Sequence, residues 1–95
     1  MPRRLANLDL DLVRTFATIA SLGSFTRAAE RLGRQQSTIS LQVQRLEETL
    51  GLKLLQRTPR SLALTSDGES FLQSARRILD LNDEIIARAR EPDMR

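Results

Sequence analysis

The chain has 95 residues with no Cys and no His; 40% of its side chains are hydrophobic, 28% are charged, and the net charge is +3. This is one domain of ordinary globular composition, without disulfides, thiolate nucleophiles, histidine acid–base chemistry or the usual zinc ligand sets. No apolar run approaches the ~20 residues of a membrane span, and Met1-Pro2-Arg3-Arg4-Leu5-Ala6-Asn7 leads into no apolar signal segment, so a cytoplasmic location is expected.

Leu12, Phe16, Ile19 and Ala20 recur on one face, with Val13 and Ala17 beside it. This predicts a first helix from about Asp9 to Leu22, closed by Gly23. Ser24 is a suitable N-cap for a short second helix, Phe25 to Leu32. Its small Ala28 and Ala29 let another helix cross closely, and Gly33 ends it. Residues 34–36 read as a turn. A third helix is expected from about Gln36 to Leu50. Ile39, Val43, Leu46 and Leu50 form its apolar stripe, ~60° wide at ~100° per residue. Its other face carries Ser37, Ser40, Leu41, Gln44, Arg45 and Glu48.

Residues 52–57 and 62–65 flank a turn containing Pro59 and read as a short two-stranded hairpin with a basic tip. Ser66-Asp67-Gly68-Glu69 has capping-box spacing, with Thr65 a rival cap one residue earlier. A long helix follows to about Ala89. Phe71, Ala75, Ile78, Asn82, Ile85 and Ala89 alternate by four and three like a coiled-coil seam. Leu72, Leu79 and Ile86 widen it. Such a helix is ~36 Å long, more than a small domain can cover, so the seam is read as a dimer interface. Asn82 in it reads as a register-setting polar residue.

Charge is unevenly distributed. Residues 27–60 hold seven basic side chains against three acidic ones, and residues 61–95 hold five against seven. Lys53 is the one lysine; the other basic residues are Arg, suited to bidentate phosphate and guanine contacts. The predicted order is mainly α: three helices and a basic β-hairpin, then a long helix. This is the order of a winged helix-turn-helix, in which the third helix offers its N-terminal side chains to base edges in the major groove.

Gln36, Ser37, Ser40 and Leu41 are the base-reading candidates: Gln for adenine, Ser for several bases, Leu for a thymine methyl. Ser24 and Thr26 suit phosphates at a helix N-terminus, and Arg34, Arg45, Arg57 and Arg60 are the basic candidates for the backbone or minor groove. Plainer readings stand beside these. Gln36, Ser37 and Ser40 also suit a helix start, Leu41 a solitary surface Leu, and Arg34 and Arg45 a solvated face. Glu48 would repel phosphate if it were central, which favours the N-terminal end of the helix as the reading end. Glu47 and Glu48 point different ways and form no catalytic pair. No phosphate loop, metal cluster or nucleophile–base pair is visible, so neither an enzyme nor a cofactor is expected.

The segment Gly23-Ser24-Phe25-Thr26-Arg27-Ala28-Ala29-Glu30-Arg31-Leu32 resembles the second-helix signature of LysR-type transcriptional regulators. Gln36-Ser37-Thr38-Ile39-Ser40, Arg45-Leu46-Glu47, Leu50-Gly51, Gln56-Arg57-Thr58 and Leu64-Thr65-Ser66-Asp67-Gly68-Glu69 keep that family's order and spacing. The resemblance covers about residues 8–90. It implies a bacterial, nucleoid-associated regulator binding double-stranded DNA at an inverted repeat, with residues 1–65 the DNA-binding domain, 66–90 a dimerising linker helix and 91–95 a tail. It also implies a following ligand-sensing domain, absent from these residues, so a small-molecule effector is expected only through that domain. Ser37 stands where the family usually has Pro, Leu41 where a basic residue is frequent, and Pro59 where Gly is frequent. Ser61 and Ala63 also replace frequent basic residues, which implies fewer phosphate contacts from the wing. Two other readings remain: a winged-helix protein–protein module, marked by salt-independent behaviour, and an architectural DNA binder without sequence choice.

Overall fold

The computed structural model describes residues 5–58 and 61–91. Four helices and one hairpin follow in order: α1 (Leu10–Leu22), α2 (Phe25–Leu32), α3 (Gln36–Leu50), β1 (Leu55–Arg57), β2 (Leu62–Leu64) and α4 (Ser66–Ala89). The starts of α1 and α2 each have a side-chain cap, whereas α3, after Gln35, has none. The Asp9 carboxylate accepts from Asp11 N–H, and Ser24 Oγ accepts from Arg27 N–H, which satisfies donors that the helix itself cannot. Gly33 ends α2 at φ 66°, a left-handed conformation that an L side chain resists. The Arg34 N–H then closes back on the Ala29 carbonyl at 2.9 Å. That tight exit sets α3 across α2, and Gln36 belongs to the helix rather than to the turn.

The long helix starts at Ser66, and of the two candidate caps the earlier one is used. Thr65 is the N-cap, its Oγ1 accepting from Gly68 N–H at 2.9 Å. Glu69 therefore does not occupy the third helical position, and no capping box forms. The strands are also shorter than expected. Leu52 N–H bonds back to the Glu47 carbonyl, and Leu54 N–H bonds to the Glu47 carboxylate. These donors are committed to α3, so the antiparallel ladder begins only at Leu55, paired with Leu64, and runs to Arg57, paired with Leu62.

One core joins all four helices and the wing. Val13, Phe16 and Ile19 of α1 join Ala28 of α2, Ile39 and Leu46 of α3, Leu54 just before β1, and Ala75 of α4 in one cluster, all fully buried. Removing each large side chain from water contributes ~1.5–3 kcal/mol. Thr15, outside the expected stripe, is fully buried as well. Its hydroxyl donates to Gln42 Oε1 at 2.8 Å, which satisfies the group where an unpaired one would be costly.

The core does not stop at residue 65. Leu72, Ala75 and Leu79 are buried against their own domain, and the Phe71 ring lies 5.6 Å from that of Phe16. Their burial within one domain leaves Leu72, Ala75 and Leu79 little surface for a second copy. The single wide seam expected from periodicity is two stripes. At ~100° per residue, Leu72, Ala75 and Leu79 share one azimuth and face α1. Ile78, Leu81, Asn82, Ile85 and Ala89 share another. Ile86 lies in line with the first stripe but beyond the end of the domain, so it is exposed.

Candidate nucleic-acid interface

The N-terminal half of α3 presents an outward face of Gln36, Ser37 and Leu41, all exposed, with Ser40 half-buried beside them. Gln44 and Arg45 continue it. α2 flanks this face on one side and the wing on the other. Gln36 Nε2 donates to Thr26 Oγ1 at 3.1 Å, so the start of α2 holds the first side chain of α3. Ser24 Oγ is occupied as an acceptor by its capping bond. Its own hydroxyl proton, like that of Thr26, can still be donated outward.

Arg34 follows the turn and donates to Gln42 Oε1 at 3.2 Å. That oxygen also receives the Thr15 hydroxyl, so one amide ties α1, the turn and α3 together. Arg45 is exposed farther along the face. Arg60, a wing candidate, lies outside the described residues.

Arg57 sits where the wing meets α3. Its guanidinium carbon stands 3.8 Å from the centre of the Phe25 ring, and Nη1 reaches Ser40 Oγ at 3.4 Å. The ring's negative face attracts the cation, and the contact aligns the guanidinium beside the α3 face. Between α3 and the wing lies a groove of about 300 Å³, lined by Phe25, Ser40, Gln44, Glu47, Lys53 and Arg57 among others.

Two residues of this region sit in the family motifs, but the sequence did not show what they do. Glu47, which points away from Glu48, has a side chain only 12% exposed. It accepts from Leu54 N–H at 2.8 Å and Leu55 N–H at 3.3 Å. Gly68 reads as part of a helix start, but a Cβ there would collide with the Leu54 carbonyl. Both place the wing against the helices, and neither relation is local in sequence.

Along α4 the uncovered stripe is apolar: Leu81 is 54% exposed and Ile85 57%. Leu81 is a further exposed apolar residue that the seam spacing passes over. Phe71 and Ile78 are half-buried against the domain's own core. Asn82 donates to Asp83 Oδ1 at 3.1 Å. Among the described residues no helix is long and apolar enough to cross a membrane.

A short helix bracing a second one, whose polar N-terminal face is exposed beside a two-stranded wing, is a winged helix-turn-helix, an architecture built for reading nucleic acid. The chain belongs to the LysR family of bacterial regulatory helix-turn-helix proteins, whose family model matches residues 10–69. It is 48% identical over 85 residues to PecT, an HTH-type transcriptional regulator of Dickeya dadantii (strain 3937), covering 90% of this chain and 27% of PecT. The chain thus spans about a quarter of that curated relative's length. It is also similar to the crystal structure of a BenM DBD/catB site 1 DNA complex, with TM-score 0.85 and 33% identity over 93% of this chain and 99% of that one. A CbnR DBD–DNA complex matches with TM-score 0.81 and 38% identity, over 87% and 95% of the two chains.

Proposed function

We propose that this chain is the operator-reading part of a transcriptional regulator and binds double-stranded DNA with sequence preference as a homodimer. The observation that carries the reading is the exposed Gln36-Ser37-Leu41 face of α3, framed by Thr26 on one side and Arg57 on the other. Base edges would meet Gln36, Ser37, Ser40 and Leu41. Phosphates would meet Ser24, Thr26, Arg34, Arg45, Arg57 and the Arg60 of the wing tip. The similar DBD structures solved with DNA support this use of the fold.

A second copy pairs along the uncovered α4 stripe, through Leu81, Asn82, Ile85 and Ala89, with Ile86 and the half-buried Ile78 at its margin. Pairing covers apolar surface that one domain leaves in water. It also presents two α3 helices to successive major grooves, ~34 Å apart for a standard inverted repeat. The chain carries no catalysis of its own in this reading, works in the bacterial cytoplasm, and answers a small molecule only through a further domain.

Selection from random duplex DNA at two salt concentrations tests the reading. An enriched inverted repeat with half-sites one turn apart is expected. Salt-sensitive retention with nothing enriched would leave an architectural binder, and no retention at all would leave a protein–protein module.

A further inference from the structure

Glu47 closes the end of α3 with its backbone and holds the wing with its side chain. Its carbonyl accepts from Gly51 N–H at 2.8 Å and from Leu52 N–H at 3.2 Å. Its carboxylate oxygen Oε2 accepts from Leu54 N–H and Leu55 N–H, and Lys53 Nζ lies 3.7 Å from Oε1. Leu55 opens β1, and Arg57 is two residues farther along the same strand. In a strand, positions two apart share a face. The register that Glu47 imposes at Leu55 is thus the register that lays Arg57 over Phe25 and beside Ser40.

We propose that Glu47 is a positioning residue of the nucleic-acid interface: through Leu54 and Leu55 N–H it sets the wing's register, so that Arg57 reaches a phosphate next to the α3 face. This inference rests on the DNA-binding reading above. It makes a prediction of unusual sign. A carboxylate near a polyanion should weaken binding through charge, so its removal should help. Positioning requires the opposite.

The test measures retention of mixed-sequence duplex DNA across a salt series, for folded dimeric protein. Glu47→Ala and Glu47→Asp should each lower affinity about fivefold and reduce the salt slope by about two, one for each Arg57 of the dimer, as Arg57→Ala does. Asp keeps the charge but is one methylene too short to reach Leu54 N–H. Glu47→Gln keeps the reach and an acceptor oxygen, and should stay within about twofold of wild type. In an Arg57→Ala background, Glu47→Ala should cost nothing further, whereas general destabilisation would cost the same in both backgrounds.

Equal losses in the two backgrounds, or tighter binding by Glu47→Ala, overturn the proposal. If Glu47→Ala does not fold, Asp against Gln decides, and equal affinities overturn it. Wild-type protein that retains no DNA overturns the DNA-binding reading itself, a result distinct from either.

Discussion

Arg14 and Asp83 lie 69 residues apart in the chain and meet through two hydrogen bonds, Nη2 to Oδ1 at 2.7 Å and Nη1 to Oδ2 at 3.2 Å. The fork joins α1 to the second half of α4, beyond the last buried turn at Leu79. It ties α1 to α4 where the uncovered stripe begins, the stripe that the proposed dimer uses.

The Arg14 hydrogen bond, with a lesser one from Asn82, holds the Asp83 carboxyl below its ordinary value. A carboxyl with a lower value in the folded state binds fewer protons than its unfolded counterpart. Its contribution is therefore complete above the unfolded value of ~3.9 and disappears as pH falls through the lower folded value. Thermal melts of wild type and Asp83→Asn should differ by a constant amount from about pH 5 to 8 and converge below about pH 4. The gap should be small, because both side chains are about half exposed. A gap that widens in acid would show that the pair acts otherwise.

Gly68→Ala tests the close approach of α4 to the wing. The atom that the new methyl meets is the Leu54 carbonyl oxygen, a backbone atom that also accepts from Thr65 N–H. It cannot swing aside as a side chain would. Overpacking of this kind costs ~1–3 kcal/mol. Urea unfolding should show a midpoint lowered accordingly with an unchanged slope. Stability equal to wild type would mean that α4 shifts freely at its start.

Gln36 and Arg57 should fail in different ways. Gln36→Ala should relax base preference at one symmetric pair of operator positions, by ~1–3 kcal/mol there. Arg57→Ala should weaken every duplex alike and lower the salt slope by about two, one for each copy in the dimer. Competition with single-base operator variants separates the two. A uniform loss for Gln36→Ala would remove it from base reading.

The dimer is best tested at Leu81 and Ile85, the two large exposed hydrophobic residues of the uncovered stripe. Changing both to Asp should give a monomer in sedimentation, with helix content and melting close to wild type and much weaker operator binding. Leu79→Asp, by contrast, should unfold the domain, since it buries an unpaired charge. A dimer that survives the Leu81 and Ile85 changes would place the interface elsewhere.

The local elements were legible in the amino-acid order. α2 and α3 begin and end where Ser24, Gly33 and the Ile39-Val43-Leu46 stripe put them, and the long helix ends at Ala89 as its period requires. These features depend on hydrogen bonds and side-chain spacings within a few residues, which a sequence displays directly. The exposed Gln36-Ser37-Leu41 face followed for the same reason, as the side opposite that stripe.

What those elements do to one another came only from packing. A helical period gives a residue's azimuth but not the body that lies at that azimuth. Only the packing of α4 on α1 separates Leu72, Ala75 and Leu79, which face the core, from Leu81 and Ile85, which face outward. Nor does local pattern distinguish a solvated Glu47 from one whose carboxylate holds two strand N–H groups, or an ordinary helix glycine from Gly68 under the Leu54 carbonyl. Each of these roles is set by a neighbour that is distant in the chain or belongs to another element, and it exists only once the backbone has brought the two together.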